Sequence, residues 1–231
     1  MLEYARTLPD LEVFIQVSTD EVYGSTIDGK LHVEYDTILP SNPYSASKAA
    51  QEAIAISYWR SYDVPVAITN TMNNIGERQD PEKFVPKVIK KLLSGDKVPV
   101  HAKKINNKWV AGSRGYLHAL NHADALVFIA NNIARYPYKR SDGAQKPLRF
   151  HVPGNEKVAN DTMVDLIAGY MGIQESRIEY QDYEQQRPGH DPNYGLEPGT
   201  LQSWGWIPPV TFRDGLRRTV EWTLKNSIWV E

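Results

Sequence analysis

The run Val13-Phe14-Ile15-Gln16-Val17 leads directly into Ser18-Thr19-Asp20-Glu21-Val22-Tyr23-Gly24, and this junction constrains the chain more than any other stretch. A short apolar, β-prone run bounded by polar turn formers reads as a buried strand. Its carboxyl end delivers a threonine and two carboxylates to one spot, and in open α/β sheets that edge is where ligands bind. Downstream, Pro43-Tyr44-Ser45-Ala46-Ser47-Lys48 places Tyr44 and Lys48 four residues apart. On a helix that spacing puts phenol and ammonium on one face. Taken singly, the Thr-Asp-Glu run is a turn or helix cap, and Tyr-x-x-x-Lys a solvated helix face. In this order, with a strand before and a helix after, they point to chemistry.

Strands and helices alternate along the chain as a doubly wound parallel sheet requires. A helix is expected over residues 44–62, where alanines recur at 46, 49, 50, 53 and 55, followed by a strand over 64–69. Further on come a loop over 73–79, a helix closed by Ser94-Gly95 with a solvated lysine face at Lys87, Lys90 and Lys91, and a short strand over 97–101. A turn over 105–108, a helix over 121–134 and a charged loop over 136–147, the best candidate for a surface insertion, follow. Residues 149–152 read as a strand, 162–171 as a helix stopped by Gly172, and 212–224 as an amphipathic helix.

Composition narrows the function classes. The 231 residues suffice for one large or two small domains. Basic and acidic residues nearly balance, 26 against 28, and no basic stripe interleaved with aromatics favours nucleic acid. With no cysteine, disulfides, thiolate catalysis and zinc-thiolate sites are excluded, which fits a reducing compartment. No basic region followed by an apolar core opens the chain, and apolar runs such as 125–130 are far short of a bilayer span. A cytoplasmic protein without membrane or nucleic-acid partners is expected. His118 and His122 are four apart, but no glutamate follows His118 as in zinc hydrolases, so no metal site is expected.

The two leading motifs, STDEVYG at residues 18–24 and PYSASK at 43–48, resemble those of the nucleotide-sugar 4,6-dehydratases of the extended short-chain dehydrogenase/reductase superfamily, the dTDP-glucose enzymes most of all. Related epimerases carry a small or hydroxyl residue in place of the acidic pair, so Asp20-Glu21 argues for dehydration. The resemblance implies NAD-dependent removal of water from a nucleoside-diphosphate hexose by transient oxidation at carbon 4, elimination across carbons 5 and 6, and hydride return. It implies a catalytic set of Thr19, Asp20, Glu21, Tyr44 and Lys48. In this scheme Tyr44 acts as a phenolate made accessible by the Lys48 cation, Thr19 holds the same sugar oxygen, Glu21 is the base at carbon 5, and Asp20 is the acid at the 6-hydroxyl. Adjacent carboxyls with opposite tasks require different surroundings.

The resemblance continues beyond the catalytic motifs. NNIGERQ at 73–79 is similar to the family's NNYGPRQ loop, with Ile75 and Glu77 as departures, and RPGHD at 187–191 matches a second motif, with Tyr194 retained and Pro192-Asn193 departing. It implies cofactor contacts from Ser18, Tyr44, Lys48 and Asn70. Substrate contacts are implied for Asn73, Asn74, Lys83, Phe84, Val85, Pro86, Arg114, Asn155, Arg187, His190 and Tyr194. The arginines would grip the diphosphate, whose geometry matches a guanidinium fork. A homodimer is implied as well, through the helix that carries Tyr44.

The resemblance also sets the expected organisation. Residues 1–72 would be the carboxyl-terminal half of a dinucleotide-binding domain, and 73–231 mainly a nucleotide-sugar-binding domain, with 116–155 returning to the Rossmann sheet. No Gly-x-Gly-x-x-Gly or Gly-x-x-Gly-x-x-Gly occurs in the sequence, although such a turn is what cradles a dinucleotide pyrophosphate. The chain therefore reads as a partial Rossmann fold without its first βαβ half. That half would be a separate chain or part of a longer frame, unless the protein is a remnant; the first strand is then expected to expose an unpaired apolar edge. The alternatives are a non-catalytic nucleotide-sugar-binding or structural protein, and a nucleotide-sugar epimerase.

Overall fold

The computed structural model describes residues 1–26, 29–175, 177–182 and 193–230. These residues form two compact units, one of Met1–Met72, Asn121–Pro153 and Tyr194–Pro209, the other of Asn73–Leu120, Gly154–Asn193 and Val210–Glu231.

The first unit is built on a parallel sheet in the order β1 (Phe14–Thr19), β2 (Val66–Thr71), β7 (Leu148–Val152). Every residue of β2 is buried, as expected of a central strand covered on both faces. Among the described residues β1 pairs with β2 alone, and Val17 is exposed on this edge. The register matches Ser18 to Asn70 and Thr19 to Thr71, so the two strands end flush.

After a short α1 (Leu2–Ala5), the dominant helix is α2 (Pro43–Tyr62). Its start is over-determined. Asn42 accepts from the Ser45 amide while Ser45 reciprocates at the Asn42 amide, and Pro43 occupies the first helical position, a capping box worth about 1 kcal/mol. The helix ends where Asp63 turns left-handed at φ 55°. Ala55 and Trp59 pack with Val64, Val66 and Ile68 into a core that Leu2, Leu11 and Phe14 flank. A second cluster of Val22, Tyr23, Met72 and Leu196 secures the turn that follows β1. Gly24 cannot be replaced there: its φ is +78°, and a Cβ would lie 2.7 Å from the Leu39 carbonyl oxygen. The segment after residue 193 also belongs to this unit. It contributes the short α6 (Gly199–Ser203) and a bridge from Leu196 to His32.

The second unit holds two sheets, β3 (Asn73–Ile75), β6 (Ser113–His118), β8 (Glu156–Ala159) and β5 (Lys108–Ala111), β4 (Val98–Ile105), β9 (Ile178–Asp182). Helices α3 (Phe84–Leu93), α5 (Asn160–Tyr170) and α7 (Phe212–Lys225) pack with them around one core. In α3 the buried Val85, Val88, Ile89 and Leu92 form the stripe that a 3.6-residue period dictates, and Lys87 and Lys90 face out. Helix α4 (Ala119–Asn132) begins in this unit and continues in the first.

Two expectations are corrected, and one strand that the sequence did not announce appears. Asn73 to Ile75 is strand, because its backbone pairs with Tyr116 to His118. β4 runs on to Ile105, since the hairpin partner β5 continues its ladder; Asn106 and Asn107, at φ 47° and 63°, supply the left-handed pair that a tight hairpin turn needs. β9, which carries no strong alternation, forms because β4 offers it a parallel edge.

Candidate active site

At the end of β1 the backbone tightens into a 3₁₀ turn over Asp20–Tyr23, capped by Thr19, whose Oγ1 accepts from the Glu21 amide at 3.3 Å. The same hydroxyl donates to Asp20 Oδ1 at 3.0 Å, and Thr19, Asp20 and Glu21 all act on the titration of the Tyr44 phenol. Thr19, Asp20 and Tyr44, far apart in sequence, thus form one cluster. The two carboxylates have different surroundings: Asp20 is buried, whereas Glu21 is half-buried and accepts from Asn42 Nδ2 at 3.3 Å. Asn42 is a site residue that the sequence reading missed, although an Asn before Pro-Tyr-Ser at a helix start was its signal. One side chain caps α2 and ties it to Glu21.

Lys48 extends from α2 toward β1. Its Nζ donates to the Val17 carbonyl at 2.8 Å and to Gln51 Oε1 at 3.0 Å, so it serves the open edge of β1. Tyr44 is accordingly not pushed toward phenolate. Burial raises its pKa, the Glu21 and Asp20 carboxylates raise it further, and the Thr19 hydrogen bond only partly opposes them. In this state the phenol is a neutral donor.

Asn70 is held within the protein. It is fully buried, and its side chain is consumed by the protein: Nδ2 donates to the Thr19 carbonyl at 3.0 Å and to Glu52 Oε1 at 2.8 Å, while Oδ1 accepts from Arg149 Nη1 at 2.8 Å. Glu52 and Arg149 form an ion pair at 2.8 Å, with Glu52 fully buried and Arg149 6% exposed. Arg149 also reaches the Tyr23 hydroxyl at 3.4 Å, and that hydroxyl meets His151 Nε2 at 2.9 Å. His151 Nδ1 lies 2.9 Å from the Glu197 carbonyl, an acceptor only. Nδ1 therefore carries the proton and Nε2 accepts from Tyr23. Burial pushes the His151 pKa down to about 4, so the ring is neutral. Ser18 differs from Asn70: its Oγ is buried without a hydrogen-bond partner among the described residues, beside Thr19 at the ligand-facing end of the sheet.

In the second unit the expected substrate residues have mixed placements. Asn73 is exposed at the start of β3, Asn74 follows with its carbonyl held by Gln79 Nε2 at 2.7 Å, Lys83 is exposed at the start of α3, and Asn155 is exposed before β8. Arg114 is buried on β6 with Nη1 on the Ser113 carbonyl at 2.9 Å. Val85 and Pro86 point into the core, and Phe84 packs partly buried against it. Their side chains are committed to packing because the apolar stripe of α3 must be covered. Tyr194 is likewise buried, at 2% exposure, inside the first unit. Arg187 and His190 lie outside the described residues.

The motif departures have structural roles. Ile75 is core, and Glu77 accepts from Arg218 Nη2 at 2.8 Å and lies 3.2 Å from His118 Nε2. Among the described residues no group of three or more His, Asp or Glu is placed to hold a metal. Nor is any helix among them long and apolar enough to cross a membrane.

A parallel sheet ending in Ser-Thr-Asp-Glu beside a helix-borne Tyr and Lys is the arrangement of a Rossmann-type short-chain dehydrogenase/reductase. Within that class the chain belongs to the family described as GDP-mannose 4,6 dehydratase, whose model matches residues 1–219. The dTDP-glucose 4,6-dehydratase of Xanthomonas campestris pv. campestris is 32% identical over 242 residues, covering 99% of this chain and 64% of the relative. The structure of dTDP-glucose 4,6-dehydratase from Bacillus anthracis in complex with NAD superposes with a TM-score of 0.82 at 30% identity, over 99% of this chain and 66% of that one. A UDP-glucose 4-epimerase of Thermus thermophilus, also in complex with NAD, superposes at 0.77 with 25% identity, over 95% and 66%. The chain thus spans about 64% of the length of the curated relatives it matches first.

Proposed function

We propose that this chain carries the catalytic and sugar-binding part of an NAD-dependent nucleotide-sugar 4,6-dehydratase, acting on a nucleoside-diphosphate hexose with dTDP as the preferred nucleotide and UDP as the alternative. The supporting observation is that Thr19, hydrogen-bonded to Asp20, and Glu21 gather close enough to Tyr44 for all three to act on its phenol. In this reading the first unit serves the cofactor and the chemistry, and the second unit serves the nucleotide.

The residues fit a nicotinamide cofactor in part. Ser18 presents a buried hydroxyl that has no protein partner among the described residues, and Tyr44 and Lys48 sit on the helix beside it, whereas Asn70 is taken up by the interior. NAD, when bound, accepts the hydride of carbon 4 and gives it back at carbon 6. The protein's own residues move the protons. Thr19 orients the 4-hydroxyl and Tyr44 takes its proton. Glu21, half-buried, removes the proton of carbon 5, and buried Asp20 protonates the departing 6-hydroxyl. Tyr44 needs a cation nearby to act as a base, and Lys48, one helical turn on, can supply it by leaving the Val17 carbonyl.

The reading includes a second copy of the chain docking through the exposed Ala46, Ala50 and Ala53 of α2, and a glycine-rich cofactor-binding half supplied by other polypeptide. The direct experiment is to incubate the purified chain with dTDP-glucose and NAD⁺ and follow formation of the 4-keto-6-deoxy sugar, together with binding of each ligand by calorimetry. Product supports the proposal. An epimer with its 6-hydroxyl intact selects the epimerase, binding of the nucleotide-sugar without turnover selects a non-catalytic binder, and no binding of either ligand sinks all three.

A further inference from the structure

The charged loop between α4 and β7, over residues 136–147, takes no part in the proposed chemistry, yet it is pinned to the end of α2 at several points. Trp59 Nε1 donates to the Tyr138 carbonyl at 2.8 Å, the Ser141 amide donates to Asp63 Oδ1 at 3.0 Å, and the Arg140 guanidinium donates to the Arg60 carbonyl. Beneath it lies a cavity of about 580 Å³ within the first unit, a size typical of small-molecule sites. Arg60, Arg140, Lys146 and Arg149 all line this cavity, and no carboxylate does.

Among the described residues, Arg149 alone of these cations is neutralised by a buried partner, Glu52. Arg149 is 6% exposed and makes its contacts to Glu52, Asn70 and Tyr23 through Nη1, so it is a fixed, buried charge at the cavity floor. Lys146 is held over the ring of Tyr35 with Nζ 3.2 Å from the centroid, and Tyr35 in turn donates to the Pro147 carbonyl at 3.2 Å. Asp63, bound by Ser141, lies in an adjoining recess with Arg60 and Arg140 and offsets one charge. With Asp63 offsetting one of them, the cations lining the recess still leave an excess of positive charge, which an anion between them would relieve.

We infer that this cavity is a binding site for a small phosphate-bearing metabolite, with Arg60, Arg140 and Lys146 gripping the phosphate above the fixed Arg149. A polymeric anion is a poorer fit, because these cations converge on a recess instead of running along a face. The inference does not depend on the dehydratase reading, and neither Thr19, Asp20, Tyr44 nor Arg114 lines the cavity.

The test is calorimetric titration of the full chain with inorganic pyrophosphate, comparing wild type with Arg60→Ala, Lys146→Ala and, as the control for the proposed nucleotide site, Arg114→Ala. Arg60 and Lys146 are exposed, so both variants should fold, which circular dichroism verifies. The expected result is saturable binding that weakens about tenfold in each of the first two variants and persists in Arg114→Ala. Binding that survives Arg60→Ala and Lys146→Ala but is lost in Arg114→Ala would overturn the inference and assign the anion to the nucleotide site. Absence of saturable binding by the wild-type chain would overturn it outright.

Discussion

The side-chain amide of Asn70 donates to the main-chain carbonyl of Thr19 at 3.0 Å, crossing from the central strand to the edge strand at the level where the ladder stops and the catalytic turn begins. This contact fixes the direction in which Thr19, Asp20 and Glu21 leave the sheet. Asn70 is itself held by Glu52 and Arg149, so a buried network lies directly under the candidate catalytic groups.

Replacing Asn70 with Ala leaves the Thr19 carbonyl and part of the Arg149 guanidinium without a partner in the interior. The expected cost is about 3 kcal/mol of folding stability, read as a lower urea midpoint with an unchanged slope. A near-neutral result would mean that water satisfies these groups and that Asn70 does not anchor the turn.

The Glu52–Arg149 pair is expected to behave as a unit. Arg149→Met or Glu52→Leu alone strands a buried charge and should cost about 3–5 kcal/mol, whereas the double variant should recover much of that loss. A double-mutant cycle measures the coupling, and additive losses would contradict a dry, mutually compensating pair.

Tyr44 should titrate above an ordinary tyrosine because burial, and then Glu21 and Asp20, disfavour its anion. Selective ¹³C labelling of tyrosine ring carbons allows its midpoint to be followed by NMR. Glu21→Gln should lower that midpoint without bringing it to the ordinary value, since burial persists. In the dehydratase assay Tyr44→Phe should stop oxidation at carbon 4, and Glu21→Gln should let the 4-keto sugar accumulate with its 6-hydroxyl in place. Loss of the same step in both variants would contradict the assigned roles.

Acid should destabilise the protein through its buried imidazoles. His151 has a folded pKa of about 4 against an ordinary value near ~6.5, so the unfolded state binds the proton more readily. Stability is complete above the ordinary value and falls as pH drops from about 6.5 toward 4, by on the order of 3 kcal/mol. His118 and His122, also lowered by burial, act in the same direction. His151→Gln should flatten the pH dependence of the urea midpoint over that window, and an unchanged slope would show that His151 does not carry the effect.

What could be read from the sequence was local. A β-prone run before Ser18, a helix over residues 44–62, the solvated lysine face of the helix closed by Ser94-Gly95 and a turn over 105–108 each depend on neighbours within a few positions, so spacing and side-chain type identify them. That Thr19 and Asp20 would come near Tyr44 could be expected for a similar reason: a strand end and a helix start each present their residues in a predictable direction.

Only the tertiary structure decided where the long polar side chains go. Lys48 turns to the open β1 edge because an unpaired Val17 carbonyl is within its reach, and Asn70 turns inward because Glu52 from α2 and Arg149 from β7 meet it there. No residue's immediate neighbours specify such a meeting. It follows from the packing of a helix and two strands around one buried charge, which must find its partners inside the fold.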